Sequence, residues 1–218
     1  MIEIKSDKII TSNGLRSGYL YIDNGLIDGF FEKQRADIAC EERYDFTGKY
    51  VSPGFIDLHT HGAGGYPFIN CTEDDVINAC NFHLKHGTTS IMPTVTAGAF
   101  ETMREAVKEI ASAKREKKTK SNIIGAHLEG PYLSEKQCGA QCPKFITKPQ
   151  KEAYRSIIEE FGDSIARWTY APENDEKGEF CKYLTERGII ASAGHTDAKY
   201  EDMKTAIENG CNLVTHLY

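Results

Sequence analysis

From Val51 onward the 218-residue sequence alternates apolar, strand-like runs with amphipathic stretches of helical period, and no other feature restricts its fold so strongly. Strands are expected at 50 to 58, 88 to 95 (TTSIMPTV), 122 to 129 (NIIGAHLE), 165 to 172 (IARWTYAP), 189 to 194 (IIASAG) and 213 to 218 (LVTHLY). Helical patterns fill the intervals at 73 to 86, 99 to 118, 149 to 161, 177 to 187 and 199 to 209. Gly87, Gly188 and Gly210 each follow a helical stretch and precede a strand, where a left-handed C-terminal cap belongs. Such βαβ repetition specifies a parallel sheet with helices outside it. Six strands and five helices make three quarters of a (β/α)8 TIM barrel, which takes ~250 residues when complete. The expected fold class is therefore α/β, a (β/α)8 barrel truncated after about six strands, with open edges that another chain or segment would have to close.

Residues 1 to 50 read differently. Short β-like bursts (IEIK, KIIT, GYLYI, LIDGFF, RYDFTGKYV) are punctuated by Asn13-Gly14 and Asn24-Gly25, which are hairpin turn signals. A small antiparallel unit over 1–50 followed by the barrel over 51–218 is the expected division.

Charge narrows the partners. The net charge of -6, with acidic and basic residues interspersed, gives no basic stripe for nucleic acid or a membrane surface, so a small molecule is the expected partner. The one basic run, Lys114 to Lys120 (KREKKTK), closes a helical stretch and is read as a solvated C-terminus complementing the helix dipole. Seven scattered cysteines, an odd number with no CxxC, argue against a disulfide framework or a zinc ribbon and for a reducing compartment. No run approaches the ~20 apolar residues that span a bilayer, and MIEIKSDKII lacks the pattern of a secretory leader. A soluble, cytoplasmic chain is expected.

In the stretch VSPGFIDLHTHGAGG, His59 and His61 are two apart on a strand and share a face. Taken alone, the pair reads equally as metal ligands or as two histidines on a solvated strand end. The later strands bear on that choice, because catalytic groups of such barrels project from the C-terminal strand ends. Strand one ends at His59 and His61, strand three at Glu129, strand five at His195, and strand six carries His216. Imidazole and carboxylate ligands suit zinc or iron and leave a position for water, the arrangement of metal-assisted hydrolysis. His127 shares a face with Glu129 and is read as an orienting or packing neighbour rather than a ligand. His83 and His86, in the last turn of a helix, are read as structural, and Trp168 and Tyr170 as core.

The segments PGFIDLHTHG, GTTSIMPTVTA, GAHLEGPYLS, SAGHTDA and VTHLY together resemble the N-acetylglucosamine-6-phosphate deacetylase family of the amidohydrolase superfamily, in family order from about residue 1 to 218. HLEGP followed by GHT and TH is specific, since most HxH relatives place a carboxylated lysine on strand four and WTYAP has none. The resemblance implies that Glu129, His195 and His216 hold a principal divalent metal, zinc or iron, and that His59 and His61 bind a second, with Glu129 as bridge. It implies one or two ions per chain, a β-sandwich portion containing the N-terminal unit, and a homodimeric full-length protein. Where many members read GAHNP, this chain has Gly139-Ala140-Gln141-Cys142-Pro143. Ala140 and Gln141 carry over as substrate contacts, Gln141 as a hydrogen-bond donor that cannot become a cation. The family's general-base aspartate is expected beyond residue 218, as are most of its phosphate contacts.

The implied activity is hydrolysis of N-acetylglucosamine 6-phosphate to glucosamine 6-phosphate and acetate. The alternatives are an amidohydrolase acting on another acylated amino sugar or cyclic amide, and a catalytically inactive metal-binding fragment.

Overall fold

Met1–Gly54 folds into a sheet of its own in the computed structural model, which describes residues 1–217. Strands β1 (Ile2–Thr11), β2 (Gly14–Asp23) and β3 (Leu26–Phe31) form two antiparallel hairpins. The second turn has Asn24 at φ 48° and Gly25 at φ 78°, the paired left-handed residues that match the twist of the flanking strands. The expectation of a purely antiparallel unit fails beyond β3. Strands β4 (Glu42–Asp45) and β5 (Tyr50–Val51) both run parallel to β1, along its first and last thirds, because residues 32–41 form a crossover that returns the chain in the same sense. Among the described residues this unit is one mixed sheet in the order β3-β2-β1-β4, with β5 also on β1. Buried Glu3 is satisfied inside it by the Tyr21 hydroxyl at 2.8 Å and the Gln34 amide at 2.8 Å.

The second unit, Phe55–Tyr218, carries the strand and helix alternation. It starts with β6 (Phe55–Thr60), a two-stranded ribbon of β7 (Gly62–Ala63) and β8 (Tyr66–Pro67), and α1 (Glu73–Lys85). There follow β9 (Thr88–Thr96), α2 (Phe100–Arg115), β10 (Asn122–Ile123) and β11 (Ala126–Glu129). The remainder comprises α3 (Lys151–Phe161), β12 (Ile165–Tyr170), α4 (Glu179–Thr185), β13 (Ile190–Ala193), α5 (Tyr200–Glu208) and β14 (Leu213–Val214). All pairings in the main sheet are parallel, in the order β6-β9-β11-β12-β13-β14, with the short β10 also on β9. This is the strand order of six consecutive barrel positions.

Strand boundaries depart most from the sequence expectation at three places. The run 50 to 58 is two strands: Tyr50–Val51 pairs in the first sheet and the barrel strand begins at Phe55, since Pro53 between them has no N–H for a ladder. The third strand is interrupted at Ile124-Gly125, where Gly125 takes φ 154° and a Cβ would meet the Ser164 carbonyl oxygen at 3.0 Å. The sixth strand ends at Val214, and Tyr218 lies outside the described residues. Gly87, Gly188 and Gly210 have φ of 94°, 72° and 99°, the left-handed helix stops the sequence required.

Strand alternation sends one set of side chains toward the helices and the other inward. Trp168 and Tyr170 take the helix side and are fully buried, Trp168 stacked on Tyr132 with ring centroids 5.7 Å apart and edge-on to Phe180 at 5.3 Å. Arg167 and Thr169 alternate with them and face inward. Helix α1 starts on a capping box, Thr72 Oγ1 accepting the Asp75 N–H while the Asp75 carboxylate accepts the Thr72 N–H at 2.8 Å. Thr72→Ala is expected to cost ~1 kcal/mol through this cap, read as a lower urea midpoint with an unchanged slope.

Candidate metal centre

Glu129 ends β11 with its carboxylate fully buried, a placement that costs several kcal/mol unless charge or hydrogen bonds compensate it. Four imidazoles do so. The Nε2 atoms of His59, His195 and His216 lie 3.3, 3.1 and 2.8 Å from Glu129 Oε1, and His61 Nε2 lies 3.3 Å from Oε2. Oε2 also accepts the Gln141 Nε2–H at 2.9 Å, and the Gln141 carbonyl oxygen in turn accepts the Ala97 N–H at 2.9 Å. The structure thus brings together all five residues read as metal ligands, from the ends of β6, β11 and β13 and the residues just after β14. Gln141 is buried with its amide engaged at both ends, so it orients the carboxylate; Ala140 beside it is exposed.

The local backbone explains why the ligands converge. His59 and His61 sit on one face of β6 and the residue after it, with the Thr60 N–H between them donating to Thr94 Oγ1 at 3.2 Å. His195 and His216 both adopt left-handed backbone, φ 49° and 57°, a conformation that side chains other than glycine's rarely take. It is held at His195 by the surrounding loop: Ser134 N–H donates to the His195 carbonyl at 2.9 Å, Asp197 N–H to Glu173 Oε1 at 2.7 Å, and the Thr196 hydroxyl to Glu173 Oε2. Backbone strain of this kind persists where surrounding contacts over-determine it.

The donor set fits a divalent cation. Nδ1 of His61 faces the Thr94 carbonyl at 3.2 Å and Nδ1 of His195 the Gln137 carbonyl at 3.0 Å, so each Nδ1 carries a proton. In the neutral ring Nε2 is then a lone pair aimed at a carboxylate lone pair, and only a cation between them makes that contact attractive. His59 Nε2 is buried and has no hydrogen-bond partner at all. Two groups can hold an ion, His59 with His61 and Glu129, and Glu129 with His195 and His216, the ligand atoms within 4.8 Å of one another in each. No thiol belongs to either group.

Without an ion, protons take its place. Burial pushes the Glu129 carboxyl up, but the imidazoles of His195, His59 and His61 facing it outweigh that and hold the group far below the usual carboxylate range. The bond to Glu129 raises both His61 and His195 above the ordinary imidazole value of 6.5. These two raised groups contribute stability to the metal-free chain that is fully present below 6.5 and lost as pH rises through their folded values. Metal binding has the opposite sign, because it needs both Nε2 atoms deprotonated. Metal affinity is therefore expected to begin falling at a pH above 6.5 as the solution is acidified, whereas the chelated chain gains stability over the same interval. Thermal melts with and without chelator between pH 6 and 8.5 check both signs.

Around the ligands lies a buried polar layer that the sequence reading did not assemble. His127 is fully enclosed and bears no metal-facing nitrogen: Nε2 meets Thr169 Oγ1 at 2.7 Å, while Nδ1 meets Thr94 Oγ1 at 3.0 Å and Arg167 Nη2 at 2.7 Å. Burial first, then the charge of Arg167, keeps the His127 ring well below the ordinary imidazole value. His83, read as a helix-end residue, reaches back to Thr60 Oγ1 at 3.2 Å and helps fix the turn between the first two ligands. Arg167 was overlooked altogether, although one charge within the apolar run IARWTY was a signal, since arginine is almost never buried unpaired.

Residues 50–218 match the sequence profile of the Amidohydrolase family. The chain belongs to that family. Amidohydrolase relatives with curated names include the N-acetylglucosamine-6-phosphate deacetylases of Haemophilus influenzae, 34% identical over 205 residues (94% of this chain, 52% of the relative), and of Homo sapiens, 32% identical over 194 residues (87% and 46%). Among solved amidohydrolases, the N-acetylglucosamine-6-phosphate deacetylase of Pasteurella multocida superposes with a TM-score of 0.87 at 29% identity, covering all of this chain and 56% of that one. A mutant of the Mycobacterium smegmatis deacetylase, solved in complex with N-acetyl-D-glucosamine-6-phosphate, superposes with a TM-score of 0.86 at 28% identity over 100% and 55% of the two chains. The chain spans about half the length of the curated relatives it matches. No helix among the described residues is long and apolar enough to cross a membrane.

Proposed function

We propose that this chain carries the metal-binding part of an N-acetylglucosamine-6-phosphate deacetylase, which hydrolyses the acetamide of its substrate to glucosamine 6-phosphate and acetate. The observation that carries the reading is the buried Glu129 carboxylate met by four imidazole Nε2 atoms within 3.3 Å, in a family whose named relatives perform this reaction. Glu129, His195 and His216 would hold the principal ion and His59 and His61, with Glu129, a second, either of them zinc or iron. What such an ion supplies to amide hydrolysis is Lewis acidity at the carbonyl and a lowered pKa for water.

The chain's own residues do the rest. Glu129 stays ionised across the physiological range, and the Gln141 amide fixes the direction of its Oε2. The Thr94 and Gln137 carbonyls hold the protons of His61 and His195 on Nδ1, which keeps the Nε2 lone pair free to coordinate an ion. His61 and His216 are half exposed at 45% and 52%. Ala140, which is exposed, and Gln141, which is bonded to Glu129, are the chain's candidate substrate contacts by the family resemblance. The partner is an amino-sugar phosphate rather than nucleic acid or membrane, a reading the dispersed charge supports, and by the family resemblance the full-length protein is a cytoplasmic homodimer.

Acetate release from N-acetylglucosamine 6-phosphate, compared with unphosphorylated N-acetylglucosamine, tests the reading on one metal-loaded sample of the full-length protein, because the 218-residue chain alone is expected to be inactive without the general base beyond residue 218. Faster release from the phosphate ester supports it. Equal release from both would favour an amidohydrolase of another acylated amino sugar, and bound metal without release from either would make the chain a metal-binding fragment only.

A further inference from the structure

We propose that Arg167 is a positioning residue for the second metal position, the one formed by His59, His61 and Glu129. This rests on the metal-centre reading above and adds a residue that takes no part in ligation. Arg167 is 6% exposed on the inward face of β12, in register with His127 on β11, which is itself in register with Thr94 on β9. Its Nη2 donates to the Leu58 carbonyl at 2.6 Å, the peptide group immediately before His59, and reaches His127 Nδ1 at 2.7 Å.

A guanidinium only donates. His127 Nδ1 must therefore accept, and the ring proton must sit on Nε2, where it donates to Thr169 Oγ1 at 2.7 Å. From Thr169 the chain of hydroxyls continues to Thr215 Oγ1 at 3.0 Å and on to Ser192 Oγ at 2.7 Å. Toward the other side Thr94 Oγ1, 3.0 Å from His127 Nδ1, receives the Thr60 N–H, and the Thr94 carbonyl receives His61 Nδ1. The His127 ring also sets its edge against His59, centroids 4.8 Å apart.

The arrangement is lopsided. Arg167 acts on His59 directly through the Leu58 peptide and through the His127 ring, whereas His216 lies beyond His127, Thr169 and Thr215. Removing the guanidinium frees the peptide before His59 and lets His127 change tautomer, so the second position loosens while the first keeps its ligands. A buried cation is costly and works against a divalent ion nearby. Its retention at this place is accounted for by the orientation it imposes.

The test is a zinc titration of the intact chain after chelator stripping, read by calorimetry. The wild-type chain is expected to take up two ions in separable steps, and Arg167→Met to bind the weaker one about 10- to 100-fold less tightly with the tighter step unchanged. Arg167→Lys, which keeps a cationic donor for the Leu58 carbonyl, is expected to recover part of that loss. Independently of any variant, 15N NMR of the wild-type rings must show His127 as the Nε2–H tautomer. An Nδ1–H tautomer, a wild-type chain that takes up one ion only, or an Arg167→Met chain with both steps unchanged overturns the inference and leaves the metal centre standing. A wild-type chain that binds no zinc overturns the metal-centre reading and this inference with it.

Discussion

Glu129→Gln is expected to remove tight metal binding at both positions and, in the full-length protein that supplies the general base, to lower acetate release by roughly 10³-fold or more, since Lewis-acid stabilisation supplies several kcal/mol and each ~1.4 kcal/mol is a factor of ten. The reason is that Glu129 belongs to both groups of ligand atoms, with three imidazole nitrogens around Oε1 and a fourth facing Oε2. No other carboxylate belongs to either group among the described residues. The amide has nearly the same shape but no charge, and its NH2 would point a donor at nitrogens that must themselves bind a cation. Removing His59 or His61 instead leaves the set of Glu129, His195 and His216 intact and is expected to cost one ion of two. Elemental analysis of the two classes of variant separates them: a Glu129→Gln chain that keeps its full metal content would contradict the shared-carboxylate arrangement.

Trp168→Ala is expected to have the largest effect on stability, about 3–5 kcal/mol as for other fully buried aromatic truncations. Trp168 is entirely enclosed, stacks on Tyr132 and meets Phe180 edge-on. Its indole Nε1–H donates to the Gly130 carbonyl at 2.8 Å, the residue directly after Glu129. Alanine leaves a cavity and strands a buried carbonyl, so the loss exceeds that of an aliphatic truncation nearby. Because the orphaned group adjoins the carboxylate, metal affinity should weaken together with the urea midpoint. A Trp168→Phe chain retains most of the packing but not the hydrogen bond; an unchanged metal affinity in it would dissociate the Gly130 contact from the site.

How far the sequence disclosed all this depended on which residues carry a signal. The clustering of the five candidate ligands was legible because a histidine or carboxylate at a strand end is a conspicuous residue in a conspicuous place, and the order of strands and helices fixed that place. Gly87, Gly188 and Gly210 punctuated it correctly. The N-terminal sheet was less legible, since the crossover over 32–41 that makes β4 and β5 parallel to β1 has no short-range signature of the kind Asn24-Gly25 has. Gln141 is read as a substrate contact from its place after HLEGP; the bonds of its amide to Ala97 and Glu129, 44 and 12 residues away in sequence, had no signature there. Thr94, Thr169 and Thr215 could not be read as a hydrogen-bonded layer at all. Threonine is an ordinary strand residue, and its role here comes from the register that sets Thr94 against His127 and His127 against Arg167.

The most direct measurement on the central claim is X-ray absorption at the zinc edge of the reconstituted chain, because its seven cysteines offer a rival, adventitious way to bind zinc. The expected spectrum is a shell of nitrogen and oxygen scatterers at ~2.0–2.2 Å with imidazole outer-shell features. A dominant sulfur shell at ~2.3 Å, or zinc retained unchanged in the Glu129→Gln chain, would contradict a metal centre built from Glu129, His59, His61, His195 and His216.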